Sequence, residues 1–225
     1  MNAKKVFNQS DREIIEQRIG EIERTTSAEL VVAVATESGN YDRAESVVGI
    51  LTALIALGVA NLIQPLFYHT GDWGAPGLQA VFQGMAVVLG YMAGNYLAAF
   101  CFPIRRLFSS KSDQINATKK SAAHVFYNHK LRETHSQCGV LIYLSLFERY
   151  IAILPDESCK EALGAEKIQE ICDSAIAELK IGNYRQAILQ VLEQLSITLS
   201  DARPADRDLD KNELSNHLLT FHRSV

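Results

Sequence analysis

The chain has 225 residues, with 22 Lys and Arg against 26 Asp and Glu, a net charge of −4 and a mean hydropathy of zero. That length suits one soluble core, and an acidic balance without a basic stripe interleaved with aromatics excludes nucleic acid as a partner. The mean conceals an uneven distribution: of the 59 residues between Glu45 and Arg105, only Asp72 carries a charge.

The first 25 residues are polar and helix-forming, without the apolar stretch of a signal peptide. Ser10 to Glu13 has the spacing of a capping box, and Ile14, Ile15, Ile19 and Ile22 follow at helical intervals, which predicts a helix to about Arg24. Glu29 to Ala35 reads ELVVAVA, a buried strand after a Thr-Thr-Ser turn signal. About ten polar residues then lead into the uncharged block.

Within that block, residues 47–68 and 80–102 are apolar on all sides, and each is long enough at ~1.5 Å per residue to cross a bilayer. Ala86, Gly90, Gly94 and Ala98 recur every four residues in the second stretch, a face that permits close backbone approach. It could meet Gly49, Ala53, Ala56 and Ala60 of the first stretch, or a second copy of the chain through the Gly90 and Gly94 face. Asn61 and Asn95 are placed to hydrogen-bond across the pair. The connecting loop lacks Lys and Arg, whereas Arg43, Arg105, Arg106, Lys111, Lys119 and Lys120 flank the block, so both termini and the soluble parts are expected in the cytoplasm. Tyr68 and Trp73 suit the far interface.

Beyond it, residues 112–130 carry Ile115, Ala122, Ala123 and Phe126 on one helical face. Gly139 to Leu146 and Tyr150 to Leu154 read as two strands joined by Phe147-Glu148-Arg149, antiparallel to each other. Two amphipathic helices follow, one with Ile168 to Leu179 on its apolar face and one from Tyr184 to Leu195, after Gly182-Asn183. The expected architecture is α/β: a three-layer α/β/α sandwich with a small mixed sheet, interrupted by a two-helix transmembrane hairpin. Residues 1–45 and 105–200 form the domain, 46–104 the hairpin, and 201–225 a loose charged tail in which Asp210 and Glu213 could start a short helix through Leu218 and Leu219.

Thr26 to Ala35 (TSAELVVAVA), Ala123 to Leu154 and the Gly-Asn-Tyr step opening Gly182 to Ile188 (GNYRQAI) together resemble the TPM domain family, named after a thylakoid-lumen protein, a photosystem II repair factor and a receptor-accessory protein. The resemblance implies the same sandwich, and it brings associations with acid phosphatase activity, divalent-cation binding and assembly roles in membranes. Three features depart from the family pattern: the lack of an export signal, the inserted spans, and Leu154-Pro155-Asp156 where many relatives carry a Gly-Tyr-Gly turn.

No P-loop, nucleophile elbow or H-E-x-x-H motif is present. Cys101, Cys138, Cys159 and Cys172 have neither zinc-ligand spacing nor a framework pattern, so reduced thiols are expected. His124, His129 and His135 do not share a helical face. Asp206, Asp208 and Asp210 imitate a calcium loop, but Lys211 and His217 stand where glycine and a bidentate glutamate are needed. Glu148 and Arg149 read as a solvated turn pair. Glu29, Asp156 and Glu157 gather at one sheet edge and could hold Ca²⁺ or Mg²⁺, although capping of the next helix is the simpler role for Asp156. These readings favour a membrane-anchored, non-enzymatic interaction or assembly module with a membrane-protein partner. The competing expectation is a cation-dependent phosphatase.

Overall fold

The computed structural model describes residues 2–67, 76–129, 138–205 and 217–223. In chain order its elements are α1 (Ala3–Val6), α2 (Gln9–Glu23), β1 (Glu29–Glu37), α3 (Asp42–Phe67), α4 (Pro76–Phe100), α5 (Phe102–Leu107), α6 (Lys111–Asn128), β2 (Gly139–Ser145), β3 (Tyr150–Pro155), α7 (Glu157–Leu163), α8 (Ala165–Ile181), α9 (Tyr184–Ala202) and β4 (Leu219–Arg223). They fall into two compact units, residues 1–39 with 114–225, and residues 40–113.

The first unit is a mixed α/β fold on a four-stranded sheet of order β3-β2-β1-β4. β1 pairs parallel with β2, from Glu29 opposite Gly139 to Ala35 opposite Ser145, and parallel with β4 on its other side. β2 and β3 are antiparallel, as their four-residue connection, Leu146 to Arg149, requires. β1 and β2 are buried along their whole lengths, which is why both read as unbroken apolar runs. Alternate residues serve two clusters. Leu30, Val32 and Val34 pack with Ile15, Ile19, Ile171, Ile188 and Leu192 of α2, α8 and α9, whereas Val31, Ala33 and Ala35 pack with Ala122, Val125 and Phe126 of α6.

Three sequence expectations shift. The capping box at α2 is formed by Asn8 and Asp11 (Asp11 N–H to Asn8 Oδ1, 2.7 Å), two residues before the expected Ser10 and Glu13, since both pairs have the required three-residue spacing. The tail does not form a helix through Leu218 and Leu219: Leu218 is buried and Leu219 begins β4, because the open side of β1 offers a complete row of backbone partners. The calcium-like run at residues 206–211 lies outside the described residues, as do Tyr68, Trp73 and His135.

The second unit contains an antiparallel helix pair, α3 with α4. Ala53, Ala60 and Ala98 are buried, and a Cβ built on Gly90 would lie 2.7 Å from the Ala56 Cβ and 3.0 Å from the Ala53 Cα. Of the two uses open to the small-residue face, the intramolecular one is formed here. Thr52 Oγ1 lies 2.8 Å from Gly90 O across the pair, and Gln83 donates to Asn61 Oδ1 at 3.1 Å. Asn95 instead donates to Tyr91 O of its own helix. One helix among the described residues, Asp42–Ile63, is long and apolar enough to cross a membrane by length and composition. The expected second span, residues 80–102, is present as α4 but is diluted by Gln83, Asn95, three glycines and two tyrosines, so its hydropathy does not by itself mark a span.

The two ends of this unit meet. Arg105 is buried, pairs with Glu45 at 3.1 Å, and stands 5.7 Å from the Tyr41 ring and 5.3 Å from the Phe102 ring. Pro103, in the first turn of α5, cannot continue α4, and the chain breaks direction at Cys101. The close approach at Gly90 is testable. Gly90→Ile is expected to destabilise the helix pair by ~1–3 kcal/mol, read as a lowered melting temperature in detergent, while Gly58→Ala, which meets nothing within 4 Å, leaves it unchanged or raised.

Candidate functional site

Parallel strands bind ligands most often beyond their carboxyl ends, where neighbouring connections diverge. Here the chain leaves β1 toward β2 on one side and is joined by β4 on the other, so the crevice to inspect is the end of β1. Its residues are Thr36, Glu37 and Ser38, all buried despite their polarity. Ser38 N–H donates to Glu148 Oε1 at 2.9 Å, and Ser145 Oγ at the end of β2 donates to Glu148 Oε2. Ser38 Oγ is 3.1 Å from Tyr143 Oη, and Ser121 Oγ of α6 donates to Ser38 O at 2.9 Å. Glu37 pairs with Arg223 of β4.

Glu148 is thus not half of a solvated turn pair: it is 4% exposed and turned beneath the sheet end, because two strand ends present donors that only a carboxylate can accept together. Arg149 carries the strain of that inward turn at φ 50°, and its guanidinium donates to Lys180 O at the end of α8 (3.0 Å). The network ties the outgoing end of β1 to the turn after β2 and to the returning helix α6. Its chemistry is positional, since the carboxylate oxygens already accept protein donors.

At the opposite edge the structure brings Glu29 and Asp156 to either side of β2. Glu29 N–H donates to Cys138 O (2.9 Å) and Asp156 N–H to Gly139 O (2.7 Å). Two strand spacings separate their backbones, ~10 Å. Asp156 Oδ1 accepts the Glu157 N–H at 2.7 Å as the N-cap of α7, and Glu157 is exposed in the first turn. Among the described residues no group of three or more His, Cys, Asp or Glu is arranged to hold a metal ion. His124 lies against Asn128, and His129 presents a tilted ring to Phe221.

The expectation of reduced thiols is corrected at the same edge. Cys138, just before β2, and Cys159, in α7, form a disulfide with their Cα atoms 5.2 Å apart. Both are wholly buried in the larger core cluster. A spacing of 21 residues has no framework signature, and the pairing depends on β3 folding back to bring α7 over the start of β2. Cys172 remains a free buried thiol, with burial pushing its pKa up to about 11, so it behaves as a small apolar side chain.

A groove of about 560 Å³ lies where α1 and α2 meet the α8–α9 turn, lined by Phe7, Asp11, Gly182, Asn183, Tyr184 and Arg185 among others. The Gly-Asn-Tyr step forms its floor, and Gly182 takes a left-handed φ of 88° that ends α8. Arg185 and Asp11 pair at 2.9 Å along it.

Residues 105–197 match the TPM domain family. The match begins after the uncharged block, and the earlier strand β1 and helix α2 supply the rest of the same α/β unit from before it. The NMR structure of the BA42 protein from the psychrophilic bacterium Bizionia argentinensis superposes with a TM-score of 0.56 at 15% identity, covering 95% of this chain and 94% of that one. At that identity the likeness is one of fold. No curated protein matches the sequence.

Sequence reasoning missed Ser38, Ser121, Tyr143 and Ser145 as a group. The nearest signal was the polar run Thr36-Glu37-Ser38 closing an otherwise apolar strand; Ser121 and Tyr143 carried none. Because Glu148 is the common acceptor of the α/β unit's network, Glu148→Ala is expected to cost ~2–4 kcal/mol by leaving buried donors without an acceptor. Chemical denaturation of the pair Glu148→Ala and Glu148→Gln checks this, with Gln, which keeps one acceptor, falling between Ala and wild type.

Proposed function

We propose that this protein is a membrane-anchored TPM-domain module, non-enzymatic, that serves the assembly or maintenance of other membrane proteins. In this reading α3 and α4 both cross the bilayer as a hairpin. The observation that carries it is the outward surface of the helix pair, where Leu54, Ile55, Leu62, Val88, Leu89, Met92 and Phe100 are all exposed. A contiguous apolar surface of this extent is unfavourable in water, and lipid is the solvent that removes the cost. The length of α4, ~37 Å for 25 residues, spans a hydrocarbon core, and its moderate hydropathy suits a helix whose polar groups are engaged along the pair.

An interaction role is supported by what the polar groups do. The carboxylates at the carboxyl end of the sheet hold strands, and Asp156 holds a helix start. Crosslinking in intact membranes is expected to recover a reproducible membrane-protein partner, lost when the α/β unit is deleted. Hydrolysis of an aryl phosphate by the detergent-purified protein, abolished both by chelator and by Asp156→Ala, would instead support a cation-dependent phosphatase that depends on Asp156.

Sidedness is read from the basic flank of Arg43, Arg105, Arg106 and Lys111, which favours a cytoplasmic α/β unit. The Cys138–Cys159 bridge weighs the other way, since disulfides persist mainly in oxidising compartments. A cysteine placed on the exposed face of α6, Lys120→Cys, is expected to resist a membrane-impermeant maleimide in intact cells and to react after permeabilisation. Labelling before permeabilisation would reverse the orientation and leave the anchor reading intact.

A further inference from the structure

We propose that α7 is a redox-controlled flap: the Cys138–Cys159 bridge closes it over the start of β2, and reduction of the bridge by a dithiol lets it swing free. The inference goes beyond the anchor reading, and its geometry lies wholly within the α/β unit. The two cysteines are held unequally. Cys138 belongs to the sheet: its carbonyl accepts the Glu29 N–H of β1 at 2.9 Å, and it leads directly into β2, which is buried along its length. Cys159 sits in a helix of seven residues that buries only Cys159 and Leu163.

α7 is also jointed at both ends. β3 stops at Pro155 before it, and Gly164 after it takes φ 72° and ψ 145°, a conformation open to glycine and strained for other residues. A Cβ at Gly164 would meet nothing within 4 Å, so this joint opens onto free space. Besides the bridge, α7 is tied by the Asp156 cap and by Arg203, which donates to Ser158 O at 3.4 Å. A short element with two buried side chains lies at the low end of local stability, and the covalent bond supplies what packing does not.

Compartment gives the bond its meaning. On the cytoplasmic side that the basic flank favours, a disulfide is usually transient or redox-sensing, which reconciles the bridge with that flank. Both cysteines are wholly buried, so exchange follows fraying of α7. One thiolate of the reductant then attacks Cys159 Sγ, forming a mixed disulfide and releasing Cys138 as a thiolate that takes up a proton. The reductant's second thiolate displaces Cys159 Sγ, which is protonated in turn, and the reductant leaves as its own disulfide. Two electrons and two protons pass to the protein, and a thiol oxidant reverses the transfer.

The test uses the full chain in detergent on a Cys101→Ser, Cys172→Ala background, so that a mass-tagged maleimide added after acid quenching and unfolding counts only the bridge thiols. Lys160, next to Cys159 and exposed, makes trypsin a local reporter of α7. Dithiothreitol without denaturant is expected to yield two tags and to speed cleavage after Lys160 by roughly tenfold or more, since proteolysis follows the open population. Cleavage after Arg185 should not change, and diamide should restore both the bridge and the protection. A bridge reduced only in denaturant overturns the inference, as does a reduced protein equally protected at Lys160. Cleavage rising equally at Arg185 also overturns it, because the bond then holds the whole unit and not a flap. In growing cells the pair is expected reduced, and bridged after brief diamide treatment. A bridge already complete in untreated cells overturns the switch, while Lys120→Cys labelling reports sidedness separately.

Discussion

The carboxylate of Glu148, buried at the carboxyl end of β1, is the constraint on which the α/β unit depends. β1 is the central strand, with a parallel neighbour on each side, and it must end at the point where the chain departs for the second unit. A strand end there leaves backbone and hydroxyl donors with no ladder to join. Glu148 accepts from Ser38 and Ser145, and Ser121 on the returning helix closes Ser38 O. The residues before and after the insertion are thereby joined inside the α/β unit itself. Such a polar cluster adds little net stability when complete, but an incomplete one is costly, so it selects one arrangement of the strand end over its alternatives.

The second unit is closed by the same logic with different chemistry. Tyr41 and Glu45 at its start meet Phe102 and Arg105 at its end through an ion pair and two aromatic faces. Its two long helices run antiparallel because Gly90, Gly94, Ala53 and Ala56 allow their backbones to approach. Each unit thus ties its own open ends. An insertion of this size can then interrupt a domain without demanding new contacts from the domain's core.

Much of the fold was legible in the sequence because its signals are periodic. β1, β2 and β3 read as unbroken apolar runs, α8 and α9 as repeating stripes, and the short turn after β2 implied the antiparallel hairpin. What escaped was set by tertiary proximity. β4 is short, and only the vacant edge of β1 makes a strand of it. Cys138 and Cys159 meet because the hairpin returns α7 to the head of β2, a relation that no spacing encodes. Glu148 reads as a turn residue, and its burial depends on two serines more than a hundred residues apart in the chain. The capping role of Asp156 was legible from its place after a strand and before a helix.

The disulfide and the capping aspartate act on the same few residues, and this gives the amino end of the sheet a character unlike the carboxyl end. Asp156 fixes the first turn of α7 and its N–H holds Gly139, while the Cys159 bridge fixes the next residue inward to Cys138. A cross-link closing a loop of this length stabilises by ~3 kcal/mol, mainly by restricting the unfolded chain. It encloses β2, the Glu148 turn and β3, the part of the sheet that must form before the network at the far end has its acceptor. Covalent restraint at one end of β2 therefore supports polar closure at the other: the bridge limits the freedom of the strands whose pairing carries Glu148 to the end of β1.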